Sequence, residues 1–448
     1  MTAVREGETA KGLAMPVFLN AIEADFESRF SALLGAKRED SPDVDAVVAD
    51  IIADVRQRGD AAVIELTAKF DRLELTSDRL RFSEEEIELH CAQVPEDVRA
   101  ALELAAERIR FYHERQMPED DSWTDESGAT LGWRWTPVSA AGLYVPGGLA
   151  SYPSSVLMNA IPAKVAGVER LAITVPTPDG EANPAVLLAA KLAGVDEIYR
   201  IGGAQAVAAL AYGTDTIAPV DKITGPGNAF VAAAKRRVFG KVGIDMIAGP
   251  SEILVIADKD NNPDWIALDL LSQAEHDESA QSILVTDDEA FGQAVVAAVE
   301  KRLETLERRE IAGASWRDYG AVIVVPDLDM AATVSNRIAP EHLGICVADA
   351  EALSLKCVHA GAIFLGQYTP EAIGDYVGGP NHVLPTARSA RFSSGLNVLD
   401  FLKRTTLSRM SPEALRAIGP AAATLADSES LEAHGLSVLA RLERLNQG

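Results

Sequence analysis

The sequence predicts an α/β fold with two Rossmann-like, doubly wound units and additional helical segments at both ends of the chain. At 448 residues the chain is too long for one hydrophobic core. From about residue 142, short β-branched runs at 171–175 and 197–201 alternate with alanine-rich helical stretches such as 185–192. This alternation is typical of parallel βαβ units. A second series of the same kind follows, with expected strands at 253–257, 282–286, 321–325 and 362–365.

The N-terminal third of the chain has a different texture. Residues 43 to 116 are predicted to be mostly helical, because apolar side chains such as Val47, Ile51 and Val55 recur at helical spacing. The helical tail carries an apolar stripe that must dock somewhere, and a partner subunit is one candidate. The expected divisions are an N-terminal helical segment at 1–42, a first α/β domain at 43–140 and 251–395, a second α/β domain at 141–250, and a helical tail at 396–448.

Composition excludes several classes of protein. The formal net charge of −26, without any long basic run, disfavours binding to nucleic acid or to an anionic membrane. The apolar patch at 12–19 is about half of a membrane span and contains Pro16. We therefore expect a cytoplasmic protein. Cys91, Cys346 and Cys357 form no CxxC pair, which argues against a disulfide framework, and the first two are expected to be buried structural thiols.

The segment SQAEHD at 272–277 places Gln273 and His276 three residues apart. If the segment is helical, both side chains project from one face and can reach one cation. An amide oxygen and an imidazole nitrogen suit a borderline metal such as zinc. A polar helix end with an N-terminal serine explains the same spacing without a ligand, so the pattern alone leaves both interpretations open.

A second candidate site is Glu341-His342, which follows Pro340. A proline at a helix start would present these two side chains about 100° apart, so both could serve proton transfers on one substrate. The alternative is a solvated first turn in which Glu341 complements the helix dipole. A third candidate is a loop at 374–382, in which Asp375 can complete a metal site. His382 can do the same, or can simply form hydrogen bonds within the turn.

Glycine-rich turns after expected strands offer a place for a nucleotide. They occur at 144–148, 202–205 and 225–228, but none is the G-x-G-x-x-G fingerprint with an acidic residue some distance beyond. Such turns also end strands in any α/β protein. By mechanism alone they therefore leave cofactor binding open.

Taken together, these segments resemble the histidinol dehydrogenase family. The motifs are spread in order over about residues 45 to 440. The quoted matches are GLYVPGG at 142–148, GGAQA at 202–206, GPGNAF at 225–230, AGPSE at 248–252, SQAEHD at 272–277, PEHL at 340–343, GGPNHVLPT at 378–386, SGL at 394–396 and Ala433-His434.

The resemblance implies an enzyme that oxidises L-histidinol to L-histidine through the aldehyde in two NAD-dependent steps, with one zinc ion per subunit. It implies a homodimer in which the tail histidine comes from the other subunit, and it assigns metal and catalytic residues to the first α/β domain and NAD contacts to the second. The implied roles are zinc ligation by Gln273, His276, Asp375 and His434, proton acceptance by Glu341 and His342, NAD contacts by Tyr144, Gln205 and Asn228, and substrate contacts by Ser251, Gln273, His276, His342, Asp375, Glu429 and His434.

Three alternatives stay open from the residues. A related enzyme could oxidise another small alcohol while keeping the same motifs. A zinc hydrolase could use Glu341 to activate water, although the chain contains no H-E-x-x-H. A non-catalytic protein could bind the metal or nucleotide without any turnover. Residues 1–42 match no motif of the family.

Overall fold

The computed structural model of the chain describes residues 15–35, 42–146, 152–247 and 249–447. Gly147, Gly148 and Ala248 of the family motifs, and residues 1–14 and 36–41 of segment 1–42, lie outside the described residues. The strands in these ranges are β1 (Val17–Asn20), β2 (Asp121–Thr124), β3 (Thr130–Pro137), β4 (Ala140–Tyr144), β5 (Arg170–Thr174), β6 (Glu197–Tyr199), β7 (Lys222–Thr224), β8 (Gly243–Ile244), β9 (Glu252–Ala257), β10 (Gln281–Thr286), β11 (Ala321–Val324), β12 (His342–Cys346), β13 (Ala362–Leu365) and β14 (Leu402–Arg409).

Helices separate most of these strands. They are α1 (Phe26–Gly35), α2 (Pro42–Arg58), α3 (Asp60–Asp71), α4 (Glu84–Cys91), α5 (Glu96–Glu114), α6 (Pro153–Val165), α7 (Pro184–Ala193), α8 (Gly203–Tyr212), α9 (Ala229–Val238), α10 (Pro263–Ala274), α11 (Glu289–Leu303), α12 (Arg309–Tyr319), α13 (Leu328–Ile338), α14 (Ala350–Ser354), α15 (Glu371–Tyr376), α16 (Pro412–Ser428) and α17 (Glu432–Asn446).

One parallel sheet has five strands in the order β6-β5-β4-β7-β8. Its first strand lies in the centre, the next two extend to one side and the last two to the other, which is the Rossmann order. Side chains along β4 alternate between two hydrophobic clusters: Ala141 and Leu143 belong to one, and Ala140 and Tyr144 to the other. Helices therefore cover both faces of the sheet.

The second parallel sheet has six strands in the order β1-β11-β10-β9-β12-β13. Its last five strands in the chain repeat the Rossmann order: β9 lies in the centre, β10 and β11 extend to one side, and β12 and β13 to the other. Leu254 and Ile256 pack with α1 and α13, whereas Ile253 and Val255 pack with α10, α11 and α12. The predicted class of two doubly wound α/β units is confirmed, and the six strands predicted from β-branched runs all form.

The terminal segments contain strands as well as the predicted helices. Between 15 and 35, β1 precedes α1 and pairs in parallel with β11. At the other end, β14 precedes α16 and pairs antiparallel with β3 in a small three-stranded sheet. These two strands were missed because their partners lie far away in the chain, and neither VFLN nor LKRTTLSR alternates apolar and polar residues.

Helices α2 to α5 pack differently from the predicted grouping of 43–140 with 251–395. Val48 and Val55 of α2 lie in a cluster with α8 and α9, and Leu102 and Ile109 of α5 lie in a cluster with α6 and α7. These helices therefore cover the five-stranded sheet. An apolar stripe requires that a helix be buried, but it does not determine which sheet buries it.

The remaining predictions about the core concern cysteines and membrane spans. Cys91, Cys346 and Cys357 are all buried free thiols, which confirms the expectation for the first two. Among the helices of the described ranges, none combines the length and the apolar character that crossing a bilayer requires.

We expect Leu19→Ala to destabilise the protein by about 2–5 kcal/mol, because Leu19 is fully buried in β1 and the substitution leaves a cavity against the sheet. Val17→Ala in the same strand is the control: Val17 is 36% exposed, and its replacement should cost less than about 1 kcal/mol. Urea unfolding of both variants measures the difference. Equal costs would contradict the position of β1 inside the six-stranded sheet.

Candidate active site

The first group of predicted residues lies at the amino edge of the six-stranded sheet. His342 begins β12, and Glu341 precedes it, while Ser251 immediately precedes β9. Since β9 and β12 are parallel neighbours, with His342 paired to Ile253, these first residues lie side by side. Ligands of open α/β sheets usually bind at the carboxyl edge of the sheet. This candidate site lies at the other edge, where the strands begin.

The backbone of one residue, Glu252, holds both predicted proton acceptors. The backbone N–H of Glu252 donates to Glu341 Oε2 at 2.8 Å, and His342 Nδ1 lies 2.9 Å from the Glu252 carbonyl oxygen. A carbonyl oxygen only accepts, so Nδ1 carries the hydrogen and the lone pair of the neutral ring is on Nε2. This nitrogen is buried and has no hydrogen-bond partner among the described residues.

The predicted helix start at Pro340 is instead the entry to a strand. Helix α13 ends at Ile338; the next residue, Ala339, lies in the left-handed region at φ 50°, and Pro340 has no N–H with which to continue the helix. Pairing with β9 then extends the chain. Neighbouring side chains leave a strand on opposite faces, so the contacts of both side chains with the backbone of Glu252 keep Glu341 and His342 together.

Two carboxylates of helix α15 face the free nitrogen of His342. Glu371 Oε1 lies 3.6 Å from Nε2 and Asp375 Oδ1 lies 4.0 Å from it. The hydroxyl of Ser272, at the end of α10, donates to Glu371 Oε2 at 3.3 Å. Asp375 was expected in a loop, but it lies in the last turn of this short helix, four residues after Glu371 and on the same face.

Burial shifts the pKa values of these groups toward their neutral forms. It raises the pKa of Glu371, and the nearby Asp375 carboxylate raises it further. Burial also raises the pKa of Asp375. The same desolvation lowers the pKa of His342 to about 4. Burial thus disfavours the charged forms of both acids and of the imidazole, and a cation bound among them would favour the ionised acids.

Gln273 and His276 approach this cluster from the end of α10. Gln273 is buried, and its Oε1 has no hydrogen-bond partner among the described residues. His276 lies two residues beyond the helix end, where its N–H donates to the Gln273 carbonyl, so the pair occupies a helix C-terminus and not one helical face. A positive charge on His276 would lower the pKa of both His342 and Glu371, so its ring lies within electrostatic range of both.

His382 connects the cluster to the other sheet. Its Nδ1 lies 2.9 Å from the Asp375 carbonyl oxygen, and its Nε2 lies 3.2 Å from Ser155 Oγ in the first turn of α6. Burial lowers the pKa of His382 to about 4. The neutral ring therefore bridges the loop after α15 and a helix of the five-stranded unit.

The donor set of this cluster fits a divalent metal. His342, Glu371 and Asp375 offer ligand atoms that all lie within 4.8 Å of one another. Three buried polar atoms, Gln273 Oε1, His342 Nε2 and Glu371 Oε1, lack hydrogen-bond partners among the described residues. Buried polar atoms are rarely left unpaired, and imidazole, amide and carboxylate groups suit zinc and similar ions.

The second group of predicted residues lies at the carboxyl edge of the five-stranded sheet. Tyr144 ends β4, and its hydroxyl accepts a hydrogen bond from the Gly203 N–H at 3.0 Å. Burial raises the pKa of Tyr144 to about 12. Gln205 is buried in the first turn of α8. Asn228 caps α9, because its Oδ1 accepts from the N–H groups of Phe230 and Val231.

Glycine lets these loops approach one another. At Gly225, with φ +111°, an added Cβ would lie 2.2 Å from the Tyr144 carbonyl oxygen. At Gly203, with φ +66°, an added Cβ would lie 2.7 Å from Gln205 Oε1. A cradle in which no side chain fits, at the carboxyl edge of a Rossmann-ordered sheet and beside two helix N-termini, suits a dinucleotide.

Two predicted residues stay outside this cluster within one chain. Glu429 and His434 are exposed, and no described hydrogen bond or ion pair joins their side chains to the cluster. They lie at the turn between α16 and α17, which pack chiefly against each other. The helical hairpin therefore carries both residues away from the core of the chain.

Sequence reasoning missed Glu371, Ser155 and the role of Glu252. A signal for Glu371 was present, since Glu371 and Asp375 have the i, i+4 spacing of one helix face, and a helix-starting proline precedes them. Ser155 and Glu252 had no such signal. Their importance arises from contacts with residues that lie 227 and 90 positions away.

Two Rossmann-type sheets, with a glycine-rich cradle on one and a buried imidazole and carboxylate cluster on the other, define an α/β oxidoreductase with a candidate metal site. The family model of histidinol dehydrogenase matches residues 35–442. The chain belongs to the histidinol dehydrogenase family, whose members catalyse the final step of histidine biosynthesis.

Individual relatives agree with this assignment. The histidinol dehydrogenase of Ruegeria pomeroyi is 81% identical over 432 residues, which cover 96% of this chain and 100% of that protein. The one of Cereibacter sphaeroides is 78% identical over 434 residues, covering 97% and 100%. The crystal structure of histidinol dehydrogenase from Elizabethkingia anophelis superposes with a TM-score of 0.92 at 37% identity, covering 96% of this chain and 99% of that one.

We expect His276→Ala to lower the bound divalent metal from about one ion per subunit to a small fraction, because the substitution removes an imidazole from the cluster. His90→Ala is the matched control. The ring of His90 contacts the Glu86 carbonyl oxygen on α4 and none of these residues. Elemental analysis after dialysis measures both. Unchanged metal content in His276→Ala would rule out this imidazole as a ligand.

Proposed function

We propose that this protein oxidises L-histidinol through L-histidinaldehyde to L-histidine in two NAD-dependent steps, the last step of histidine biosynthesis. The observation that carries the proposal is the pair Glu341 and His342, which the backbone N–H and carbonyl of Glu252 hold beside the candidate metal site. The high identity to histidinol dehydrogenases over almost the whole chain supports the same substrate. A biosynthetic enzyme of this kind is proposed to act in the cytoplasm.

The proposed metal is one zinc ion per subunit. Its ligands would be Gln273, His276 and Asp375 together with His434 from a second copy of the chain. The unpaired Gln273 Oε1 and the raised carboxyl pKa of Asp375 support this choice, because both groups gain a partner when a cation binds. When bound, zinc would orient the imidazole-bearing substrate and polarise its alcohol.

His342 is the proposed acceptor of the hydroxyl proton. Burial keeps its ring neutral, and the hydrogen bond from Nδ1 to the Glu252 carbonyl leaves Nε2 as the basic atom. This atom points toward the cluster where the substrate alcohol would bind. A base positioned in this way can accept the proton while NAD accepts the hydride.

Glu341 is the proposed base for the second oxidation. The Glu252 N–H holds its Oε2, and this contact fixes the carboxylate within 3.7 Å of His342 Nδ1. A carboxylate in this position can activate water for addition to the aldehyde. The three cysteines are buried in helices and strands or beside them and form no part of the cluster, so a thiohemiacetal route is disfavoured.

The proposed contacts for NAD are Tyr144, Gln205 and Asn228, at the carboxyl edge of the five-stranded sheet. Glycine at 203 and 225 lets these turns pack closely at the end of β4, where the N-termini of α8 and α9 can interact with a pyrophosphate. In this arrangement 141–250 supplies NAD contacts and 251–395 supplies the metal and catalytic residues. Ser155, bonded to His382, joins the two.

The proposed assembly is a homodimer that exchanges its C-terminal tails. The hairpin of α16 and α17 exposes the apolar side chains of Leu425, Leu431 and Leu436, which require a partner surface. A second copy would bury them and bring His434 and Glu429 to its cluster. In the proposed site Ser251 and Glu429 contact the substrate, as do Gln273, His276, His342, Asp375 and His434.

The proposed reaction predicts a stoichiometry. Purified protein with zinc and excess NAD should release two molecules of NADH for each molecule of L-histidinol consumed, because both oxidations occur at one site. Absorbance at the NADH band and quantification of L-histidine by chromatography measure the ratio. One NADH per histidinol would limit the activity to alcohol oxidation, and no turnover of histidinol would point to another alcohol as substrate.

His342→Asn should lower kcat by about 10²–10⁴-fold, because it removes the proton acceptor but keeps a side chain that can donate to the Glu252 carbonyl. The bound zinc should be unchanged. Steady-state kinetics and elemental analysis measure the two quantities. Loss of zinc together with a lowered unfolding temperature would show that His342 maintains the structure and not the chemistry.

Tail exchange predicts complementation between two inactive variants. His434→Ala and His342→Asn should each be inactive, and refolding them as an equal mixture should restore about one quarter of the sites, since random C2 dimers contain half hybrids with one intact site each. Activity of the mixture relative to the wild type measures this. If the tail completes the site of its own chain, the mixture stays inactive.

A further inference from the structure

A buried ion pair lies beneath the loop that joins β7 to α9. Lys235, in the second half of α9, has a side chain that is 3% exposed, and Asp245, which follows β8, has one that is 1% exposed. The ammonium contacts Asp245 Oδ1 directly. Neither residue belongs to the candidate metal site, to the pair Glu341 and His342, or to the proposed NAD contacts.

Both charges of this pair are directed at one residue of the loop. Lys235 Nζ donates to the Gly225 carbonyl oxygen at 2.9 Å, and Asp245 Oδ2 accepts from the Gly225 N–H at 2.8 Å. Gly225 is the first residue after β7, where the sheet no longer supplies partners for the backbone. The ion pair therefore provides one donor and one acceptor to the backbone groups of Gly225.

A small displacement of Gly225 would change the contact between its loop and the end of β4. Its approach to the Tyr144 carbonyl leaves no room for a Cβ, so the loop crosses the end of β4 in contact with it. Three residues further on, Asn228 caps α9. Lys235 belongs to the same helix. The ion pair thus connects the start of the loop to the body of the helix that the loop begins.

Energetics favour a geometric role for these charges. A buried ion pair is seldom more stable than two apolar side chains of similar volume, because desolvation offsets the attraction. Two apolar side chains here would leave the Gly225 N–H and carbonyl without partners in the interior, which is costly. The charged side chains at these two positions are therefore explained by their hydrogen bonds to Gly225, which fix the conformation of the loop.

The geometry points to Lys235 and Asp245 as positioning residues that set the conformation of loop 225–228 and, through Asn228 and the cradle at Tyr144, the affinity for NAD. They act through the loop and touch no cofactor themselves. This inference rests on the proposed function, which places NAD at the carboxyl edge of the five-stranded sheet.

The test compares Lys235→Met, Asp245→Asn and the double variant. Each single variant leaves one buried charge unpaired, so we expect a lower unfolding temperature together with a Kd for NAD raised by about 10–100-fold. The double variant should recover most of the stability, because no lone charge remains. Its Kd for NAD should stay raised, because the Gly225 carbonyl still lacks its donor. Isothermal titration with NAD and thermal unfolding measure the two quantities, without any turnover.

Two further measurements separate positioning from general damage. Zinc content and the KM for L-histidinol should stay within about twofold of the wild type in the double variant, since the cluster lies on the other sheet. Lys222→Met is the matched control: it lies at the opposite end of β7, where its Nζ contacts Asp400 at 3.4 Å, and it should leave the Kd for NAD unchanged.

The outcomes distinguish this inference from the function on which it rests. Recovery of NAD affinity together with stability in the double variant would reduce the ion pair to a structural role and overturn the inference. Normal NAD binding in all three variants would overturn it as well, while leaving the proposed function intact. Failure of the wild-type protein to bind NAD would overturn both. If the single variants do not fold, the double variant and Lys222→Met still decide the question.

Discussion

The pairing of β9 with β12 is the constraint on which the candidate site depends. It brings the backbone of Glu252 beside Glu341 and His342, and this residue then holds both side chains through its N–H and its carbonyl. The same contact selects the ring nitrogen of His342 that carries the hydrogen. Parallel strands start at one edge of a sheet, so this edge collects the residues that precede β9 and β12. The candidate site therefore lies at the amino edge of the six-stranded sheet.

The two sheets contribute opposite edges, and helices of the five-stranded unit hold the loop that follows α15. Arg108 of α5 donates to the Val377 and Gly378 carbonyls, and Ser155 of α6 contacts His382. Asn381 donates to the Met158 carbonyl at 2.5 Å. The five-stranded unit therefore supports the loop beside the candidate metal site. In this arrangement a cofactor on one sheet and a substrate on the other can meet at the junction between the units.

Electrostatics and the assembly are linked in the same site. The buried Glu371 and the partly buried Asp375 have raised pKa values, and the buried His342 and the partly buried His382 have lowered ones. A cation would reverse the preference of the acids. The exposed position of His434 in one chain accords with a site that a second copy completes. The long apolar hairpin that carries it would then serve both the interface and the ligand set.

The sequence by itself determined the fold class, the six strands with β-branched runs and most of the side-chain types at the candidate site. Hydrophobic periodicity, composition and motifs are local properties, so they can be read without the structure. It indicated Gln273 and His276, yet it predicted a helix at Pro340 and a loop at Asp375, where the structure has a strand and a helix. Only the tertiary structure decided which sheet buries α2 to α5, that β1 and β14 pair with strands distant in the chain, and that Glu371 joins the cluster. These outcomes depend on contacts between residues far apart in the chain. Such contacts stabilise the protein only once the chain between the two residues has folded, so no local pattern in the sequence reveals them.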